Sequence, residues 1–130
     1  YYNIKHRISS DGIHWHGIPD VSVDYANECE YAISRPSVLI DNNGLFRMWY
    51  SFRSQPGIET YRIGYAESKD GINWERKDHL MKGFDVSKEG WDSEMICYPY
   101  VFEHEGLFYM LYNGNGYGRT GFGLAVLESN

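Results

Sequence analysis

The chain has 130 residues, a formal net charge of −6 and an aromatic content of 17%, which suits one domain with a sizeable core. The acidic balance argues against a nucleic-acid-binding protein, because such proteins need a cationic surface to neutralise phosphates. No long stretch repeats apolar residues at the helical period of about 3.6 residues, so few helices are expected. The 12 tyrosines and 14 glycines favour an all-β fold, since aromatic residues suit strands and glycine suits tight turns.

Neither a secretory leader nor a membrane segment is evident. No signal peptide opens the chain and no apolar run reaches the ~20 residues of a membrane span. No membrane partner is expected, and the location is cytoplasmic or unknown. Cys29 and Cys97 lie beside apolar or aromatic residues and lack a CxxC spacing. We favour two buried free thiols, with a disulfide as the alternative. No cofactor is predicted.

Three segments of the chain recur at a nearly constant spacing. Trp15 and Trp74 are 59 positions apart, and Pro36 and Pro99 are 63 positions apart. Such a period is the signature of a repeat architecture. The recurring pairs are Ser9–Trp15 with Ser68–Trp74, Arg35–Tyr50 with Tyr98–Tyr112, and Ile63–Ala66 with Phe122–Ala125.

The best preserved repeat predicts four short antiparallel strands. The predicted strands are Ser37–Ile40, Leu45–Phe52, Tyr61–Glu67 and a fourth that begins at Trp74. Asp41–Gly44 and Asp70–Gly71 predict the turns between them, because Asn, Asp and Gly accept turn conformations that other residues avoid. Four antiparallel strands in each repeat describe one blade of a β-propeller.

Applied to the whole chain, this pattern gives a single all-β domain that is a partial propeller of four-stranded antiparallel blades. Residues 1–32 are the end of one blade and a connection, 33–78 a full blade, 79–95 a connection, and 96–130 an incomplete blade. Propellers close with about four to eight blades, and an open stack exposes apolar faces and strand edges. Either the chain is part of a longer product, or a second copy completes the ring in a homodimer.

A family resemblance runs through both copies of the repeat. Its segments are Arg35–Val38, Phe46–Ser51, Arg62–Ala66, Ser68–Trp74, Tyr98–Val101, Tyr109–Tyr112 and Gly123–Ala125. They resemble the five-bladed propellers of glycoside hydrolase families 43 and 32 and their relatives, which include hydrolases and phosphorylases. In those families an Asp often precedes the proline of a blade's first strand, at the central funnel. Arg35 and Tyr98 occupy the two corresponding positions here.

Acidic residues placed before the predicted inner strands are the catalytic candidates. Glycoside hydrolysis needs two carboxyl groups, one protonated and one ionised, on either side of the scissile bond. Asp92 and Glu94 are candidates of this kind, and Trp91 beside them is a candidate sugar-contacting ring. One repeat earlier, Glu30 is a third catalytic candidate and Glu28 a substrate-binding candidate, and an extended chain would put both on one side. Solvated acids in exposed loops are the alternative interpretation.

Four further residues complete the predicted substrate-binding set. Arg35 precedes an inner-strand proline and could hold a carboxylate or a sugar hydroxyl in fixed geometry, with a structural salt bridge as the alternative. Tyr98 is its counterpart in the next repeat. Tyr117 and Arg119 belong to the glycine-rich segment 113–119. That segment connects two strands, so it is not a phosphate loop that opens a helix.

Other polar and aromatic residues of the repeat are assigned structural roles. Asp11 and Asp70 begin Asp-Gly turns, in which the carboxylate accepts nearby backbone N–H groups. His14 and His16 would lie on one face of a strand, but no third ligand is spaced to complete a metal site, so no metal is predicted. The residues expected to serve blade packing or the blade surface are Trp15, Trp74, Arg53 and Arg62.

Three functions remain open from the sequence. The resemblance implies a carbohydrate-active protein that hydrolyses or phosphorolyses a glycosidic bond. The absence of Asp before Pro36 and Pro99 instead suits a non-catalytic module that binds glycan or protein. A truncated gene product without activity is the third alternative.

Overall fold

The structure, a computed structural model, describes residues 1–128 and consists mostly of antiparallel strands, which confirms the all-β prediction. The strands are β1 Ile4–His6, β2 Asp20–Val23, β3 Ala32–Ile40, β4 Phe46–Arg53, β5 Arg62–Ser68, β6 Glu75–Arg76, β7 Cys97–His104, β8 Leu107–Asn113 and β9 Phe122–Leu127. They form a first sheet (β1 and β2), a central sheet (β3 to β6) and a third sheet (β7 to β9). Residues 129 and 130, the end of the predicted incomplete blade, lie outside the described residues.

Helical structure within residues 1–128 is limited to two short segments. A 3₁₀ turn covers Asp78–Met81, and α1 covers Asn115–Gly118. Both are far too short to cross a lipid bilayer, and no other helix of this part of the chain could do so.

The register of the central sheet gives it two different ends. Ile40 pairs with Phe46, which pairs in turn with Ser68, so the short turns lie together at one end. Ala32 pairs with Arg53 at the other end, where the longer connections meet. We call these the turn end and the loop end. The third sheet repeats the arrangement, because its tight turn also follows the first strand.

Strand β4 of the central sheet is buried on both faces, which explains why most of its residues are apolar. Met48 and Tyr50 face the first sheet and share an apolar cluster with Ile4. Trp49 faces the third sheet and shares a second cluster with Met110. Burial of one large apolar side chain stabilises a fold by about 1.5–3 kcal/mol. Alternate side chains of one strand therefore hold the three sheets together in a stack.

The Asp-Gly turns are built as the sequence predicts. The Asp70 carboxylate accepts the backbone N–H groups two and three residues ahead, both at 2.8 Å. Asp11 does the same at 2.9 and 2.8 Å. The imidazole of His14 lies 2.6 Å from Asp11 Oδ2, where Asn73 donates to Asp70 in the second copy. The prediction that His14 and His16 share a strand face is wrong, since neither residue lies in a strand.

Two residues predicted to be buried, Trp15 and Cys29, are exposed. Trp74 packs edge-on against Phe46 at 6.4 Å, as expected of a packing residue. Trp15 is 51% exposed, because the first sheet, as far as the structure describes it, offers no strand equivalent to β4. Cys97 is buried and both cysteines are free thiols, but Cys29 lies in a turn and is exposed.

Candidate functional site

The first strands of the central and third sheets each contain a β-bulge at the same point of the repeat. The pairing of β3 with β4 shifts register around Arg35, and that of β7 with β8 shifts around Tyr98. The backbone φ is 54° at Arg35 and 57° at Tyr98, values that non-glycine residues adopt rarely. Bulges redirect side chains and are common beside active sites. In each of these two blades, the bulge therefore displays one side chain from a residue with a strained backbone.

Side-chain hydroxyls tie the bulged strand of the third sheet to the central sheet. The backbone N–H of Tyr98, released from the ladder by the bulge, donates to Ser51 Oγ at 2.7 Å. The N–H of Val101 donates to Ser37 Oγ at 2.9 Å. A buried N–H without an acceptor would destabilise the fold, so these two serines fix the relative position of the bulges.

The side chains presented by the bulges belong to a larger group at the loop end, which we call the Tyr–Arg cluster. Its members are Tyr2, Tyr31, Arg35, Arg53, Tyr61, Tyr98 and Tyr117. The guanidinium carbon of Arg35 lies 5.1 Å from the centroid of the Tyr98 ring, and Tyr98 stacks on Tyr117 at 6.0 Å. The guanidinium carbon of Arg53 lies 5.2 Å from the ring centroids of both Tyr31 and Tyr61. These separations are those of cation–π and aromatic contacts.

Hydrogen bonds also link the polar atoms of the cluster. The hydroxyls of Tyr2 and Tyr61 lie 2.6 Å apart, and Arg53 Nη1 donates to the Tyr117 hydroxyl at 3.4 Å. Burial raises the pKa of Tyr98, and burial together with the Tyr2 hydroxyl raises the pKa of Tyr61. A tyrosine with its ordinary pKa of about 10 is already protonated at neutral pH, so both phenols carry a proton that can be donated in a hydrogen bond.

Glu94 combines a fixed backbone with an exposed side chain. Its N–H donates to Asn115 Oδ1 at 2.8 Å, and its carbonyl oxygen accepts Thr60 Oγ1 at 2.7 Å and Arg62 Nη1 at 3.2 Å. The next residue, Met95, packs in the apolar cluster that contains Tyr61. The structure thus fixes the backbone of Glu94 next to Met95, which packs with Tyr61 of the Tyr–Arg cluster, and leaves the Glu94 side chain exposed.

Asp92 and Trp91 are oriented toward the third sheet. Asp92 is buried, and its Oδ2 accepts the Tyr112 hydroxyl at 3.1 Å. Burial and this hydrogen bond raise the pKa of Tyr112 to about 12. The Trp91 ring lies 5.5 Å from the Tyr112 ring, and a Cβ on Gly123 would come within 2.6 Å of it. Trp91 therefore packs over β9, whose glycine makes room for its ring.

Glu28 and Glu30 do not share one side of an extended chain, so this prediction is wrong. Residues 26–29 form bends and turns, which leave Glu28 exposed and Glu30 buried. Glu30 accepts two hydrogen bonds from Arg76, at 2.8 and 2.9 Å, and one from the Ala26 N–H at 2.9 Å. Arg76 also donates to Asp78 at 2.6 Å. Glu30 is thus part of a buried ion-pair network between the first and central sheets.

Three of the six predicted substrate-binding residues come together, and Trp91, Glu28 and Arg119 do not join them. Arg35, Tyr98 and Tyr117 meet in the Tyr–Arg cluster, whereas Arg119 is exposed and makes no contact with the cluster among the contacts described. Arg53, expected on the blade surface, lies between two tyrosines of the cluster. Its place could have been found from the sequence, because it ends a hairpin strand on the side away from the Asp41–Gly44 turn.

Solved structures share this arrangement of sheets. A protein named "Glycoside hydrolase" superposes with a TM-score of 0.76 and 19% identity, covering 98% of this chain and 36% of that protein. A second structure, named as a complex of BT0996 with RGII, gives a TM-score of 0.71 and 18% identity over the same shares. The chain has the fold of part of a glycosidase-type β-propeller.

Sequence relatives agree with the propeller fold. The chain is 47% identical over 128 residues to uncharacterized protein MT1551 of Mycobacterium tuberculosis, covering 97% of this chain and 40% of that protein. It is 34% identical over 95 residues to a 1,2-beta-oligomannan phosphorylase of Thermoanaerobacter sp., covering 69% of this chain and 31% of the relative. An extracellular exo-alpha-(1->5)-L-arabinofuranosidase of Cellvibrio japonicus is 29% identical over 85 residues, 60% of this chain and 22% of the enzyme.

The chain spans about 40% of the length of the first curated relatives that it matches. No family model matches the chain.

Proposed function

We propose that the chain binds carbohydrate with the Tyr–Arg cluster. The cluster itself supports this proposal, because sugar rings stack on aromatic faces and sugar hydroxyls accept hydrogen bonds from guanidinium and phenol groups. Two relatives are named as a phosphorylase of an oligomannan and as an arabinofuranosidase, which favours a carbohydrate ligand. Ligand sites are concave or grooved surfaces with aromatic linings and a few placed polar groups, and the cluster combines both kinds of group.

Within this proposal, Glu94 is the residue that serves catalysis. Its backbone is held by Asn115, Thr60 and Arg62 while its carboxyl group is exposed. A positioned acid or base contributes about 10²–10⁴-fold to a rate. Asp92, which is buried and bonded to Tyr112, suits a supporting role better than proton transfer.

Glycan-array binding and turnover assays test the two parts of the proposal separately. Aryl glycosides and oligosaccharides are incubated with the chain, with and without inorganic phosphate, and released sugar or sugar phosphate is measured. We expect turnover to fall at least about 100-fold in Glu94→Gln and to persist in Glu103→Gln. Glu103 is the matched control, since it is an exposed acid near the turn end of β7. Equal rates in both variants would remove Glu94 from catalysis.

A non-catalytic glycan-binding module is the second candidate function. It is favoured by the residues at the two bulges, Arg35 and Tyr98, neither of which is an acid. Binding on the array without turnover of any bound glycan would support this candidate over the enzyme.

Self-association is a separate proposal. β9 exposes Phe122, Leu124 and Val126, alternate residues that line one face of the outermost strand of the third sheet. A second copy that covers this face would bury an apolar strip of the kind that marks interaction sites. Analytical ultracentrifugation measures the mass in solution. A dimer is expected, and a dispersed monomer at high concentration would exclude it.

A further inference from the structure

Two arginines of the Tyr–Arg cluster carry charge that no acidic side chain offsets. Within residues 1–128, neither Arg35 nor Arg53 takes part in an ion pair, whereas Arg47, Arg62 and Arg76 each pair with a carboxylate. The chain as a whole has 18 acidic and 12 basic residues. Two guanidinium groups of one cluster that both lack an acidic partner are therefore unexpected in so acidic a chain.

The stacking of both guanidinium groups leaves their edges available. Arg35 presents one face to Tyr98, and Arg53 lies against Tyr31 and Tyr61. Stacking uses the flat faces of a guanidinium group, and its N–H donors point outward in the plane. Arg53 donates Nε to the Glu59 carbonyl at 3.2 Å and Nη1 to Tyr117. Its Nη2 has no acceptor among the hydrogen bonds described.

We propose that the cluster binds the carboxylate of an acidic sugar, a uronic acid residue, between Arg35 and Arg53. This inference rests on the proposed carbohydrate function and names the class of its ligand. A planar carboxylate accepts two parallel hydrogen bonds from the edge of a guanidinium group. The half-exposed ring of Tyr117 receives the pyranose ring that carries the carboxylate.

The surrounding groups favour a carboxylate over a neutral sugar. Charge-assisted hydrogen bonds are about twice as strong as neutral ones, and partly buried tyrosines lower the local dielectric, which strengthens them. Tyr98 is protonated at neutral pH, as any tyrosine with a pKa of about 10 or above is, so its hydroxyl can donate to an anion. A neutral sugar would bring no negative charge to pair with the two guanidinium groups.

The aromatic rings also distinguish a uronic acid from a free inorganic anion. Phosphate or sulfate would pair with the two guanidinium groups but would gain nothing from the stacked rings of Tyr98 and Tyr117. A uronic acid residue contacts the guanidinium groups through its carboxylate and the aromatic rings through its sugar ring. The strained φ of Arg35 is consistent with a placement that serves a ligand, since backbone strain collects at binding sites.

Isothermal titration calorimetry with a matched pair of ligands tests the inference. The probes are trigalacturonic acid and its fully methyl-esterified form, which differ in charge but hardly in shape. At low salt we expect the acid to bind at least about tenfold more tightly than the ester, the effect of one charge-assisted hydrogen bond. Arg35→Gln and Arg53→Gln should remove this preference, and Arg53→Lys should restore part of it.

Lys69→Gln is the matched control, because it removes one positive charge from the turn end. The preference for the acid should survive in this variant, and circular dichroism confirms that each variant is folded. Arg35 is exposed, so its substitution tests the idea even if variants of Arg53 fail to fold.

The possible results separate the two proposals. Equal binding of acid and ester would overturn the uronic acid inference and leave the carbohydrate function intact. Tight binding of inorganic phosphate without binding of trigalacturonic acid would overturn it as well. If neither trisaccharide nor any glycan on the array binds, the carbohydrate function itself fails.

Discussion

The two ends of the strands use the same repeat in opposite ways. At the turn end, Asp11 and Asp70 make the same backbone hydrogen bonds in two different sheets. At the loop end, the equivalent bulge positions hold Arg35 and Tyr98, two side chains with different chemistry. The turn end repeats its contacts, whereas the loop end keeps the backbone shape and changes the side chain. Local hydrogen bonding thus maintains the fold at one end, and the other end is available for recognition.

The largest expected effect comes from removing the ion pair that supports the loop end. Arg76→Gln should destabilise the fold by about 3–5 kcal/mol, because it leaves the buried Glu30 carboxylate without its partner. Urea unfolding followed by fluorescence measures the change. Glu75→Gln is the control, since the side chain of Glu75 is 75% exposed in its pair with Lys77 toward the turn end, and such exposed pairs contribute about 0–1 kcal/mol. Equal losses in the two variants would contradict the difference between the ends.

A smaller loss is expected from the residue that holds the Glu94 loop. Asn115→Ala leaves the N–H groups of Glu94 and Met95 without an acceptor, which should destabilise the fold by about 1–3 kcal/mol. Glycan affinity should fall together with stability, because the backbone that carries Glu94 is no longer held by Asn115. Asn42→Ala, an exposed turn-end change, should alter neither quantity in the same denaturation and binding assays. Unchanged glycan affinity in Asn115→Ala would separate the loop from binding.

The turn end should account for most of the stability that the fold loses at acid pH. Hydrogen bonds from the side chain of Asn73 and nearby backbone lower the pKa of Asp70, and His14 with nearby backbone lowers that of Asp11. A lowered folded-state pKa stabilises the fold above the ordinary Asp value of about 3.9, and this stabilisation is lost as pH falls below it. Thermal melts between pH 7 and pH 2 should show a drop below about pH 4. The drop should be smaller in Asp11→Asn/Asp70→Asn, and an unchanged profile would argue against these turns as its source.

The smallest effect is a labelling pattern at the loop end that leaves stability unchanged. Burial raises the pKa of the Cys97 thiol to about 11, so it should react slowly with a thiol reagent in the native state. Cys29 is exposed and should react first. Mass spectrometry of the partly labelled chain identifies the modified residue. Rapid labelling of Cys97 would show that the loop end opens readily.

Much of the fold could be predicted from the sequence because its signals are local. Neighbouring residues determine the Asp-Gly turns and the alternation of Met48, Trp49 and Tyr50. The order of the strands followed from these local signals. The candidate site depended on contacts between distant parts of the chain. Arg53 was assigned to the surface, and Glu30 was treated as a catalytic candidate although it pairs with Arg76, because neither role leaves a periodic pattern. Bulges move residues by one position, which periodicity alone does not reveal.

The bulges of β3 and β7 bear on how such a chain could change its ligand. The kink of β7 is held by a contact that does not involve the presented side chain, since the Tyr98 N–H donates to Ser51 Oγ. The residue at each bulge can therefore be exchanged while the backbone keeps its geometry. Substitutions at Arg35 and Tyr98 would therefore change the chemistry of the loop end first, because the same kinked backbone presents whichever side chain stands there.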